Sequence, residues 1–129
     1  MRIDCNGNIE TFATGFVGTS GLAVDGNDLY ISDDGPDIYR VNTSGTLTQL
    51  SWSSSVTISN PNGLDVDSSG RLLVADAGGT IWRLTVNSAG TVTGATAMAT
   101  GFPTPNGVHA TSSGNVLFVD NDGFVYSIA

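Results

Sequence analysis

One stretch is written three times along this chain. GLAVDGNDLYISD begins at Gly21, GLDVDSSGRLLVAD at Gly63 and GVHATSSGNVLFVD at Gly107, spacings of 42 and 44 residues. Each copy sets an apolar run before an aspartate: Leu29-Tyr30-Ile31 before Asp33, Leu72-Leu73-Val74 before Asp76, Val116-Leu117-Phe118 before Asp120. Runs that are apolar at consecutive positions suit strands whose sheet is covered on both faces. A second β-branched and aromatic run follows each aspartate: Ile38 to Val41, Ile81 to Leu84, Val125 to Ile128. The turn sequences DDGPD, DAGG and DNDG lie between them. A fourth run, rich in Thr, follows a glycine at Gly45 (Thr46 to Leu50) and at Gly90 (Thr91 to Thr93). No segment carries an apolar period of 3.6, so almost no helix is predicted.

Short strands joined by Gly/Asp turns, repeating every forty-odd residues, are the mark of a β-propeller blade. The fold class is therefore all-β, with three four-stranded blades in one domain of 129 residues. The repeats divide the chain into an outer strand in 1–16, blade one in 17–58, blade two in 59–102, and three inner strands of blade three in 103–129. The phase of the N-terminal segment follows from alignment. Met1-Arg2-Ile3 matches Tyr39-Arg40-Val41, Ile9 to Phe12 match Leu47 to Leu50, and ATGFVGTSG parallels ATGFPTPNG.

Three blades in a closed ring would diverge by about 120°, whereas sheets stack about 10 Å apart only when nearly face to face. Rings usually have about 4–8 blades. The expected assembly is a six-bladed homodimer in which the N-terminal strand of each chain completes its partner's last blade, sealing edges that would otherwise invite foreign strands.

Composition narrows the partners. The formal net charge is −8, with no lysine and four arginines. Such a surface repels phosphate backbones and anionic membranes, so neither nucleic acid nor membrane is an expected partner. Cys5 is the only cysteine, which excludes an internal disulfide and a cysteine metal cluster. No stretch approaches the roughly 18 apolar residues of a membrane span. The start MRIDCNGNIE has no signal-peptide pattern, and the expected setting is cytoplasmic or that of a mature exported protein.

NPNGLDVDSSGRLLVAD (60 to 76) and TPNGVHATSSGNVLFVD (104 to 120) resemble two related groups of six-bladed propellers, the NHL-repeat proteins and the gluconolactonase and senescence-marker-protein group. The second resemblance implies a site at the mouth of the central channel, where side chains just before the repeated glycine hold one divalent ion, calcium or another, that polarises a lactone carbonyl. The matching positions are Asn62 and Asn106, with Ser20 lining the channel in blade one, where the family pattern is lost. Calcium takes about 6–8 oxygen ligands, usually with carboxylates among them, and amides alone are poor ligands. Asp65 and His109, two residues past their glycines, are the candidate catalytic pair, adding a carboxylate and a base. The resemblance thus implies small-molecule binding with metal-assisted lactone or ester hydrolysis. The alternative is a non-catalytic NHL-like scaffold for a protein or glycan partner. A histidine lyase resembling the streptogramin-inactivating propellers is a third reading, carried by His109 alone.

Other features read as structure. Asp33, Asp76 and Asp120 recur in every repeat, and their carboxylates are expected to accept N–H bonds from the turns that follow. Tyr39, Trp82 and Tyr126 share one slot and should pack between blades. Trp52, in the connection SWSSSVTISN, is a candidate for a rim pocket. There is no Walker loop, HExxH or GxSxG elbow.

Overall fold

The computed structural model describes residues 1–53 and 56–129. Three sheets, antiparallel except for one short parallel edge strand in the second, succeed one another along the chain, preceded by a small hairpin. The hairpin joins β1 (Arg2–Ile3) to β2 (Ile9–Glu10). Blade one runs β3 (Leu22–Asp25), β4 (Asp28–Ser32), β5 (Ile38–Val41) and β6 (Leu47–Gln49), each paired with the next. Blade two takes β7 (Ser51–Trp52), β8 (Pro61–Val66), β9 (Leu72–Asp76), β10 (Thr80–Val86) and β11 (Thr91–Thr100), in the order β8-β9-β10-β11-β7. Blade three has β12 (Pro105–Ala110), β13 (Val116–Asp120) and β14 (Val125–Ile128). No helix occurs among the described residues.

The apolar runs fall where their pattern puts them. All five residues of β9 are buried, because both faces of blade two are covered. One core lies between blades one and two, around Ala23, Tyr30, Ile38, Leu64, Leu72 and Val74. A second lies between blades two and three, around Leu73, Ala75, Ile81, Val116 and Phe118. Consecutive residues of β9 thus serve different cores: Leu72 and Val74 face blade one, Leu73 and Ala75 face blade three. Full burial of one such side chain stabilises by about 1.5–3 kcal/mol.

The hairpin turns share one device. Asn42 Oδ1 accepts the N–H groups of Ser44 and Thr46, and Asn87 Oδ1 those of Ala89 and Thr91. Asp4 Oδ1 does the same for Asn6 and Asn8. In each a glycine (Gly7, Gly45, Gly90) takes the positive φ that such a turn demands.

The repeated aspartates do more than hold the turn after them. Asp76 accepts from Gly78 in its own turn, but also from Ser59 and Asn60 in the segment leading into the blade. Asp33 takes the N–H groups of Val17 and Gly18, and Asp120 that of Thr104. Each carboxylate thus ties the entry segment to the end of the second strand. Burial pushes the Asp33 carboxyl up, but the N–H groups of Val17, Gly18 and Asp34 outweigh it and leave the group below its usual range.

Three details depart from the sequence reading. The N-terminal segment is a hairpin rather than one outer strand. Its pairs Arg2↔Glu10 and Ile3↔Ile9 reproduce Arg40↔Thr48 and Val41↔Leu47 of blade one, so it carries the third and fourth strands of a blade. Strand β11 extends to Thr100, past the run at Thr91 to Thr93, since its small residues give little propensity signal and β10 templates them. Among the described residues, Trp52 is a strand residue packed on a core rather than part of an irregular connection. It sits in β7, parallel to β11, and packs on the first core; residues 54 and 55 of that connection lie outside the described residues.

Candidate functional site

The first strands of the three blades, β3, β8 and β12, stand side by side. A glycine opens each contact. Gly21 packs on the Asn62 carbonyl so tightly that an added Cβ would lie 2.0 Å from it, and at Gly63 an added Cβ would lie 2.4 Å from the Asn106 carbonyl. Both glycines are therefore needed for close approach between strands. Ser32 fixes the first contact further: its hydroxyl donates to the Asn62 carbonyl at 2.7 Å and accepts the Gly21 N–H at 2.7 Å.

The close approach brings Asp65 of β8 and His109 of β12 together. His109 Nδ1 lies 2.9 Å from Asp65 Oδ2. The same Oδ2 accepts the Ala110 N–H at 2.8 Å, while Oδ1 accepts the Val66 N–H at 2.8 Å. The carboxylate is thereby held by two backbone donors on adjacent blades. With its Nδ1–H donated to Asp65, the imidazole presents Nε2 as a lone-pair acceptor. The His109 side chain is 69% exposed, so that nitrogen is open to solvent. Asp65 is 27% exposed and stands behind the ring.

The other three candidates do not converge in the same way. Asn62 donates its amide to the Pro105 carbonyl at 3.3 Å, and Asn106 donates to Asn121 Oδ1 at 3.3 Å. Ser20 is exposed and lies beside a groove of about 270 Å³ lined by Met1, Phe12, Phe16, Leu22 and Leu29. These donors are neutral. Among the described residues no group of three or more His, Cys, Asp or Glu side chains could hold an ion. The set does not fit calcium, which favours carboxylates among its ligands.

The aromatic slot is structural. Tyr126 stacks on Phe118 with centroids 5.1 Å apart and meets Phe102 edge-on at 4.9 Å, while Tyr39 meets Phe16 at 5.6 Å. Trp82 packs on the first core. Phe16 and Phe102, which hold two members of this slot, carried a signal in the matched ATGF segments.

No family model matches the sequence, and no curated protein matches it. Solved structures do match. A gluconolactonase from Xanthomonas campestris superposes with a TM-score of 0.67 at 23% identity, over 85% of this chain and 37% of that one. Virginiamycin B lyase from Staphylococcus aureus gives 0.64 at 17% identity, over 84% of this chain and 40% of that one. The chain is a half-propeller. It spans about 40% of the length of the solved propellers it matches. The half-propeller resembles gluconolactonase and streptogramin lyase propellers in fold, as its repeats imply. A putative glucose dehydrogenase from Thermus thermophilus shares the fold at a TM-score of 0.62 and 17% identity, over 86% of this chain and 42% of that one. The architecture is thus compatible with several chemistries.

Proposed function

We propose that the half-propeller binds a small molecule at its inner strands and transfers a proton there through His109, in the hydrolysis of a lactone or ester. The single observation that carries this reading is the His109–Asp65 contact with Nε2 open to solvent. In the reaction, Nε2 takes a proton from water as its oxygen adds to the carbonyl carbon. The imidazolium then returns that proton to the alkoxide as the carbon–oxygen bond breaks, leaving acid and alcohol. Asp65 holds the tautomer and stabilises the imidazolium, a positioning role. The likeness in fold to a gluconolactonase supports the substrate class. One virginiamycin B lyase among the similar structures is described as catalytically inactive when a histidine is replaced by alanine, and that protein lends weight to a histidine on this fold.

Asp65 also joins blade two to Ala110 of blade three, and that role would exist without catalysis. A panel of lactones and esters assayed with the native chain and with His109→Gln separates the two. We expect turnover by the native chain and a loss of about 10²–10⁴-fold in kcat in the variant, with unchanged thermal melting. Absence of turnover across the panel in folded protein would favour a non-catalytic scaffold for a protein or glycan. A calcium ion is not part of this reading, because Asn62 and Asn106 offer only neutral amides: chelation should leave turnover unchanged.

A further inference from the structure

We infer that a second copy of this chain docks head to tail on the open faces of blades one and three, and that β14 of one copy takes the place of β1 beside β2 of the other. The inference rests on an interface the chain already makes twice. In each case the forward face of one blade receives the back face of the next. Blade two offers Ala75 and Ile81 forward, both fully buried, and blade three turns the equivalent Val119 and Val125 to solvent, 40% and 70% exposed. On the other side, Leu64 of blade two is 6% exposed against blade one, whereas its equivalent Leu22 is 59% exposed, as is Val24.

The glycine contacts repeat the pattern. Gly21 meets the Asn62 carbonyl and Gly63 that of Asn106; the third member, Gly107, meets only Val119 of its own strand pair, at 3.1 Å. The next carbonyl in the series belongs to Ser20. The two unmatched surfaces are therefore the two halves of one known contact, and a heterologous pairing between copies completes it. Soluble proteins rarely leave such apolar faces bare.

Strand edges point to the same occupant. The hairpin β1–β2 has the register of β5–β6, and β1 aligns with Ser127 and Ile128 of β14. Tertiary burial does not hold β1, since Arg2 and Ile3 are exposed. The outer edge of β14 has no strand beside it among the described residues. Exchanging β1 for β14 pairs that edge and trades a two-residue strand for a four-residue one. The groove beside His109, lined by Gly107, Leu117, Val119 and Val125, then gains its missing wall from the second copy. The proposed site is incomplete without that wall, yet the docking itself does not rest on the catalytic reading.

The test is mass in solution by sedimentation. At about 0.1 mM, a concentration that populates modest self-association, we expect twice the 13.2 kDa of one chain. Val125→Asp and Leu22→Asp should each return the single-chain mass, with far-UV circular dichroism unchanged. Mixing the two variants should restore the pair, because one of its two seams is then native on both sides. A single chain at this concentration, or a mixture that stays dissociated, overturns the docking. Glu10→Cys with Ser127→Cys, in a Cys5→Ser background, should oxidise to a covalent dimer. A dimer that forms without this crosslink overturns the strand exchange. Neither readout involves turnover, so either can fail while His109 remains active.

Discussion

Blades two and three are spelled with nearly the same letters and live in different surroundings. In β9 every residue from Leu72 to Asp76 is buried, while in β13 Val119 is exposed and Leu117 half-covered. The cause is the neighbour, not the strand. Blade two is packed on both faces, and blade three on one. An apolar run on both faces states what a strand requires; whether the requirement is met depends on what stands beside it.

The largest expected effect tests this directly. Leu73→Ala removes a fully buried side chain and should cost about 2–5 kcal/mol in urea unfolding. Leu117→Ala, at the equivalent position, should cost less than about half of that at high dilution, and more as protein concentration rises. Equal costs at every concentration would mean that blade three is covered within the single chain.

The glycines give the next contrast. Gly63→Ala places a methyl 2.4 Å from the Asn106 carbonyl and should destabilise by about 1–3 kcal/mol, since strands must separate to admit it. Gly107→Ala meets only the Val119 side chain, which is exposed and can shift toward solvent, so its melting temperature should stay within about 2 °C of native in dilute solution.

Acid should weaken the blade-one entry in a defined direction. The Asp33 carboxyl titrates below its usual 3.8 when folded, so its contribution is complete above the unfolded value and fades as pH falls through the folded one. The stability gap between native protein and Asp33→Asn, measured by urea unfolding from pH 6 to about pH 2, should therefore be constant at first and close only at the acid end. A gap that closes near neutrality would assign the loss to another group. The smallest effect is at His109. Its exposed ring should contribute within about 0.5 kcal/mol to stability, so His109→Ala should leave unfolding nearly unchanged whatever it does to turnover.

Much of the fold was legible because repetition amplifies weak signals. A single run such as Val116-Leu117-Phe118 is ambiguous, but three such runs each closed by an aspartate are not. The strand extension to Thr100 was hidden because Ala95, Ala97 and Ala99 have low β propensity and are held by pairing with β10. The strand at Trp52 was hidden because a parallel two-residue strand leaves no periodic trace. At the candidate site, His109 breaks its repeat, since Ala23 and Asp65 occupy the same slot. The sequence could name both His109 and Asp65 but could not join them, for they lie on different blades and meet through β8 and β12.

The order of the strands, the turns and the aspartates that close them follow from local patterns, since propensity and turn chemistry act over a few residues. The 2.9 Å contact between Asp65 and His109 and the exposed faces of Leu22 and Val125 exist only once blades stack. Stacking brings together atoms distant in sequence, and no local preference encodes which of their faces finds a neighbour.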